Sequence, residues 1–226
     1  MSDMDSVVKT GVVKVDVWSD VACPFCYIGK RKFEAGVAAS GVEVEVEYHS
    51  FELSPDTPED VTGTYAERVA EKMGVSLAQA QEMEQRLTGA ARAVGLEFNY
   101  ERVQLANTRK AHELLHYAKA HSRQLEMKER LLAAHFTDGR HVGRVTELAD
   151  LASEIGLDRA DVLRALEAGE YRDGVAGDLA QATAYGISGV PFFVLDATYG
   201  ISGAQEPAAF AQALTQARDA QPGQDD

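Results

Sequence analysis

The feature that most constrains this chain is a pair of cysteines set where a strand gives way to a helix. Residues 12–18 read V-V-K-V-D-V-W, an alternation that suits a strand. A short loop, Ser19 to Ala22, leads to Cys23, and P-F-C-Y-I-G-K-R-K-F-E-A-G-V-A-A-S from Pro24 onward reads as a helix. Pro24 falls in the first turn, where a missing N–H costs nothing and a φ near −65° is already helical. Gly41 follows as a stop, and V-E-V-E-V-E-Y at 42–48 alternates strictly, as a strand with one buried and one wet face does. Strand, helix and strand in that order predict an α/β fold with both thiols at a helix start.

Cys23 and Cys26 are the only 2 cysteines among 226 residues. A structural disulfide at this spacing closes a tiny loop and removes little entropy from the unfolded chain. A zinc site needs two further ligands, which histidines would have to provide. A redox pair needs this spacing, because each sulfur must reach the other. At a helix N-terminus the free N–H groups and the dipole favour an anionic sulfur, and in such settings a cysteine pKa falls from about 8.5 to roughly 3.5–7.5. Cys23 is therefore the expected nucleophile. Cys26, one turn inside, is expected to be more deeply buried, to stay protonated longer and to resolve a mixed disulfide formed at Cys23.

Composition narrows the setting. The chain is 45% hydrophobic and 26% charged, an ordinary globular mixture, and no apolar run approaches the ~18 residues of a membrane span. The start, M-S-D-M-D-S-V-V-K-T-G, is acidic and lacks the basic and apolar segments of a secretory signal. A cytoplasmic protein is expected, and in that compartment a CxxC is more often catalytic or metal-binding than structural. The formal net charge of −14 argues against nucleic acid and anionic membrane as partners. The basic run Lys30-Arg31-Lys32 reads as a solvated helix face or as a local attraction for an anionic substrate.

S-P-D-T-P-E-D at 54–60 has linker composition, and helical patterning follows for over a hundred residues. Thr64 with Glu67 and Ser76 with Gln79 fit capping boxes, with Gly74 and Gly95 as stops. Met83, Leu87, Ala91 and Val94 form one apolar stripe; Ala111, Leu114, Leu115 and Ala118 a second; Leu148, Leu151, Ala152 and Ile155 a third. Two more helices are predicted at 159–169 and 172–185. Strand signals return at V-P-F-F-V-L, 190–195, and Y-G-I-S-G, 199–203, before Pro207 opens a last helix. The order is β-α-β, a helical block, then β-β-α, so the two ends are expected to share one sheet around an inserted block.

Pro191 heads a core-like strand although it cannot donate to a ladder. It reads either as an edge-strand proline or as a cis peptide that turns the Val190 backbone toward the cysteines, where an extended substrate could pair with it; the upstream CxxC favours the second reading. Trp18 and Phe25 read as apolar walls of the site, with a core role the alternative for Trp18. H-E-L-L-H, His112 to His116, matches a metalloprotease pattern, with His135, His141 or a Glu as a third ligand. A histidine beside an apolar stripe is more often packed than ligating, and His135 reads as a core residue or a pocket wall.

Taken together, S-D-V-A-C-P-F-C-Y-I-G-K, G-I-S-G-V-P-F-F-V and S-G-A-Q resemble the DsbA-family thioredoxin-fold proteins, and more narrowly their FrnE-like branch. N-T-R-K-A-H-E-L-L and L-L-A-A-H-F-T-D-G are similar to that branch too, and the likeness spans roughly residues 12–218. The resemblance implies a thioredoxin-like fold, with 12–55 and 175–220 as one discontinuous domain, 56–174 as a helical insertion, and 1–11 and 221–226 as disordered termini. It implies Cys23 as nucleophile, Cys26 as resolving thiol, and Pro191 in cis; beside it, Pro24, Phe25, Val190 and Trp18 are read from the chain as substrate-side residues, with the core role still open for Trp18. Partners would be protein or small-molecule thiols and disulfides, with no organic cofactor and glutathione as a conceivable co-substrate. The related 2-hydroxychromene-2-carboxylate isomerases and kappa-class glutathione transferases place a serine where Cys23 stands. Both cysteines here favour dithiol chemistry over a glutathione-dependent isomerase or transferase acting on small aromatic or polyketide-like substrates. Between the cysteines lies Pro24-Phe25 rather than the Pro-His of DsbA, which predicts a potential less oxidising than about −120 mV.

Overall fold

The computed structural model describes residues 11–221. Strand β1 (Val13–Ser19) buries Val13, Val15 and Val17 on one face. It is followed by helix α1 (Pro24–Ser40), which Cys23 caps and Gly41 ends in a left-handed conformation, φ 64°, its N–H donating to the Val37 carbonyl. Strand β2 (Val44–Ser50) then pairs parallel to β1, Val17 lying opposite Tyr48. Far downstream, β3 (Phe192–Leu195) pairs antiparallel to β1, and β4 (Tyr199–Ser202) antiparallel to β3. The sheet order is β2-β1-β3-β4, so the two ends of the chain do share one sheet.

Strand limits moved from the sequence expectation for local reasons. The third strand starts at Phe192, after Pro191, the residue that cannot donate. The V-E-V-E run at 42–48 alternates as expected, with Val42, Val44, Val46 and Tyr48 turned to the core and Glu43 and Glu45 exposed. The strand extends to Ser50, and only Tyr48 and Ser50 within it are fully buried, because β2 is an edge covered near its C-terminal end.

The helical segment comprises α2 (Tyr65–Met73), α3 (Leu77–Ala93), α4 (Arg109–Ala120), α5 (Gln124–Ala133), α6 (Val145–Glu154), α7 (Arg159–Ala168) and α8 (Arg172–Ala184). Both capping boxes form as expected. The segment has its own apolar core, with Leu114, Met127, Leu132, Phe136, Leu151 and Leu166 fully buried. A second core lies between the sheet, α1 and the last helix, α9 (Pro207–Ala220), where the rings of Phe33, Phe193 and Phe210 meet at 4.8–5.6 Å. Gly36 makes that crossing possible: a Cβ there would lie 2.6 Å from Phe210 Cβ. Among the described residues no helix is long and apolar enough to cross a membrane. The termini expected to be disordered fall almost wholly outside the described residues; Gln221, the last described, donates from Nε2 to the Val12 carbonyl at 3.0 Å.

Two polar seams join the helices to the sheet. In one, the Gln124 side chain bonds both the N–H and the carbonyl of Tyr48, and Glu129 accepts from the Tyr27 hydroxyl at 2.7 Å and pairs with Lys30 at 2.6 Å. In the other, Asp178 of α8 accepts from the Ser50 N–H at 2.7 Å and meets His49 and His116 at 2.9 Å each. His49 also reaches Asp16 on β1. Burial opposes ionisation of Asp178, but the hydrogen bonds from His116, His49 and Ser50 outweigh it and hold the carboxyl well below the usual carboxylate range. Burial likewise opposes protonation of His49, and Asp178 and Asp16 outweigh it, so its pKa is raised.

Asp178→Asn is expected to cost about 1.5–3 kcal/mol of stability near neutral pH, the range for hydrogen bonds to a charged group. The carboxylate contribution is present above its unfolded pKa and lost as pH falls through the lower folded value. The His49 contribution is present below its unfolded pKa and lost as pH rises through the raised folded value. Urea unfolding of wild type and variant should therefore differ most between about pH 4 and 6.5, with the gap narrowing on both sides.

Candidate active site

Cys23 occupies the N-cap of α1 in an extended conformation, φ −93°, ψ 114°. Its carbonyl accepts from the Cys26 N–H at 3.0 Å, so the first helical turn joins the two residues. Both thiols are free, and each residue is only 3% exposed, so Cys26 is not the more buried of the two. The Cys23 Sγ lies 3.7 Å from the Val190 carbonyl oxygen, and the Val190–Pro191 peptide is cis. Residues 167 positions apart are thus brought together at the start of α1.

Gly29, one turn beyond Cys26, was invisible to sequence reasoning as a site residue. A Cβ there would lie 2.9 Å from Pro191 Cγ and 3.3 Å from Ala204 Cβ, so the absence of a side chain lets the proline seat against α1. The Pro191 carbonyl accepts from the Gly203 N–H at 2.8 Å, which ties the loop to the end of β4. Pro24 is buried, while Phe25, between the cysteines, is 52% exposed. Trp18 is placed in the core rather than in the site wall: it is fully buried, stacks on His49 and donates from its indole N–H to the Asp178 carbonyl at 3.2 Å.

Two buried ionisable side chains, Asp20 and Lys128, act on the sulfurs from different elements. Asp20, in the loop before Cys23, accepts from the Leu53 N–H at 2.8 Å and the Ala22 N–H at 3.3 Å, and lies 3.4 Å from His112 Nε2. Burial opposes its ionisation, but His112 and these donors outweigh it, and its pKa is lowered to about 2. Lys128, on α5, is fully buried; its Nζ donates to the Ser19 carbonyl at 3.4 Å and sits 5.3 Å from the centre of the Tyr48 ring. Burial lowers the Lys128 pKa, against the opposing effect of Cys26, Asp20 and Cys23. For Cys26, burial is outweighed by the Cys23 thiol, Lys128 and the Ser19 hydroxyl, and its pKa is lowered. The hydrogen bond to Cys26, followed by burial, pushes Cys23 up. The two shifts run opposite to the expected order, upward for Cys23 and downward for Cys26, because the two thiols are hydrogen-bonded to each other. For Cys26 the Cys23 thiol is the larger lowering cause, and Lys128, from a distant helix, is the next.

Beside the loop lies a cavity of about 170 Å³ whose lining includes Asp20, Ala22, Pro24, Tyr65, Leu105 and His135. His135 is buried with no partner at either ring nitrogen, and burial lowers its pKa to about 4, so the ring is neutral near pH 7. The H-E-L-L-H histidines do not converge. His112 faces Asp20, whereas His116 faces Asp178 and Ser50. His141 uses Nδ1 to accept from the N–H groups of Gly143 and Arg144. Among the described residues, three potential metal ligands gather only at Asp16, Glu47 and His49, a group that includes neither histidine of that motif, and Lys14 and Lys119 pair with the two acids. The run at 30–32 is neither a solvated face nor free for an anion: Lys30 and Arg31 pair with Glu34 and Glu129, and Lys32 with Glu206.

Comparison with known proteins agrees with this geometry. The profile of the DSBA-like thioredoxin domain matches residues 14–215. The uncharacterized protein YwbO of Bacillus subtilis (strain 168) is 32% identical over 205 residues, covering 90% of this chain and 96% of its own. The crystal structure of the probable DsbA oxidoreductase SCO1869 from Streptomyces coelicolor superposes with a TM-score of 0.86 at 40% identity, over 93% of this chain and 92% of that one. The cytosolic disulfide reductase DsbM from Pseudomonas aeruginosa, solved with GSH, shares the fold at a TM-score of 0.65 and 16% identity, over 90% and 98% of the two chains. A profile that spans nearly the whole chain and a relative this similar place the protein in the family of DSBA-like thioredoxin domains.

Proposed function

We propose that this protein is a thiol–disulfide oxidoreductase in which Cys23 attacks and Cys26 resolves. The observation that carries the reading is the position of the Cys23 sulfur, at a helix start, 3.7 Å from the Val190 carbonyl, with a second thiol in the next turn. Cys23 becomes the nucleophile when its proton passes to Cys26. The Cys23 thiolate then attacks one sulfur of a substrate disulfide, expelling the other as a thiolate. Cys26, giving up its proton, attacks Cys23 in the mixed disulfide and releases the second substrate thiol. The protein is left with a Cys23–Cys26 disulfide, which the reverse sequence donates to a substrate dithiol.

The backbone before Pro191 offers an acceptor to an extended substrate, and Phe25 offers exposed apolar surface next to the sulfurs. The cysteines are the redox centre, so the reaction requires no organic cofactor, and glutathione serves as co-substrate. Protein and small-molecule disulfides in the cytoplasm are the substrates of this reading. A second reading has a specific observation behind it. The 170 Å³ cavity is close in size to one that accepts a benzene-sized ligand, and its neutral His135 has both nitrogens free for a ligand. A glutathione-dependent isomerase or transferase acting on small molecules would use such a space.

One substitution separates the two. With Cys26→Ser, the oxidoreductase stops after a single round and accumulates the Cys23 mixed disulfide, visible by mass spectrometry under non-reducing conditions. An isomerase or transferase would instead keep turning over, since it needs no resolving thiol. A second test probes the proline loop. Gly29→Val pushes against Pro191 and is expected to lower kcat/KM for disulfide exchange about a hundredfold through misplacement of the substrate backbone, while Cys23 still alkylates in the folded variant.

A further inference from the structure

A lysine is rarely buried without a partner, because an unpaired ammonium in an apolar interior is costly. Lys128 is 0% exposed. It has three donors to satisfy, yet it makes one long hydrogen bond, to the Ser19 carbonyl, and a cation–π contact with Tyr48. Both of these contacts are to uncharged groups, a backbone carbonyl and an aromatic ring. Its position is not accidental. One turn earlier on α5, Gln124 grips the Tyr48 backbone from both sides, and the next residue, Glu129, is bound to Tyr27 and Lys30 of α1. The helix cannot slide without breaking both attachments.

The charged and titratable groups that face Lys128 are few. Asp20, from the loop before α1, already has His112 and two backbone N–H groups. Lys30, from α1, is held by Glu34 and Glu129. Tyr48, from β2, offers its ring. What is left is the sulfur pair: the hydrogen bond to Ser19 sets Lys128 at the end of β1, where the loop to the cysteines begins, and Cys26 is foremost among the groups that act on it. A disulfide carries no charge and leaves the ammonium unmatched, whereas a reduced pair carrying one thiolate matches it.

We infer that Lys128 is a positioning residue for the redox pair, an ammonium that the helical segment places beside Cys26 to hold the negative charge of the reduced form. The inference rests on the oxidoreductase reading above. When two glutathione thiols reduce the pair, the Cys23–Cys26 bond breaks, a glutathione disulfide bond forms, and two electrons enter the protein. Of the two protons released, one stays on Cys23, hydrogen-bonded to the Cys26 thiolate. The other goes to Lys128 where the oxidised form left it neutral, and otherwise to solvent. Lys128 thereby favours the reduced state and makes the protein a stronger oxidant.

The test is equilibration of the full chain with buffers of reduced and oxidised glutathione, comparing wild type, Lys128→Met and Lys128→Arg. Lys128→Met should shift the protein–glutathione equilibrium toward the disulfide by about tenfold or more, about 30 mV toward a more reducing potential. It should also raise the pH at which thiolate absorbance appears. Lys128→Arg, which keeps the charge, should stay near wild type. A folded Lys128→Met protein with an unchanged potential and thiolate titration overturns the inference. Should Lys128→Met not fold, the Nζ resonance of wild type decides: its titration must lie higher in the reduced than in the oxidised protein, and equal values overturn the inference. If wild type itself forms no reversible disulfide in these buffers, the oxidoreductase reading fails and takes this inference with it, a result distinct from a normal wild-type potential that Lys128→Met leaves untouched.

Discussion

The close approach of the Val190–Pro191 loop to the first turns of α1 is the constraint on which the site depends. Gly29 has no side chain where Pro191 Cγ arrives, and the Pro191 carbonyl is fixed by the Gly203 N–H at the end of β4. The loop can only reach that place because β3 and β4 complete the sheet that β1 and β2 begin. The whole helical segment is accommodated between those two halves. Cys23 then faces a backbone carbonyl from the far end of the chain, and the chemistry becomes a property of the fold rather than of a four-residue motif.

The same architecture governs the electrostatics. A helix N-terminus favours a thiolate, but burial of both sulfurs opposes one. For Cys26 the balance is tipped by the Cys23 thiol together with Lys128 on α5 and the Ser19 hydroxyl. A motif with Phe25 in place of histidine has no ionisable group of its own between the sulfurs. The helical segment provides what the motif lacks, and it is bolted to α1 and β2 by Glu129 and Gln124, and to the sheet again by Asp178.

How much of this was legible in the sequence depended on the range of the interaction. The strand–CxxC–helix unit, the Pro24 position, the two capping boxes and the division into β-α-β, helices and β-β-α were readable because each rests on neighbours in the chain. The opposite directions in which the two thiols shift were not, since the Cys26 shift draws in part on Lys128, from a helix far along the chain. Trp18 was ambiguous for a related reason: at a strand end either face is open until α8 covers one. Lys30, Arg31 and Lys32 read as a solvated face or an attraction for an anion because, apart from Glu34 of α1, their acidic partners are far along the chain, Glu129 on α5 and Glu206 just before α9. The histidines at 112 and 116 have metal-ligand spacing, and only the fold shows that each is claimed by a different carboxylate.

The central claim is that Cys23 and Cys26 cycle between dithiol and intramolecular disulfide. Mass spectrometry of alkylated wild-type protein, taken from glutathione buffers spanning reducing to oxidising ratios, measures this directly. The account predicts two interconverting species, one with both cysteines alkylated and one with neither, passing reversibly through a single midpoint. Persistence of two alkylatable thiols at every ratio, or accumulation of a stable glutathione adduct without ring closure, would contradict it.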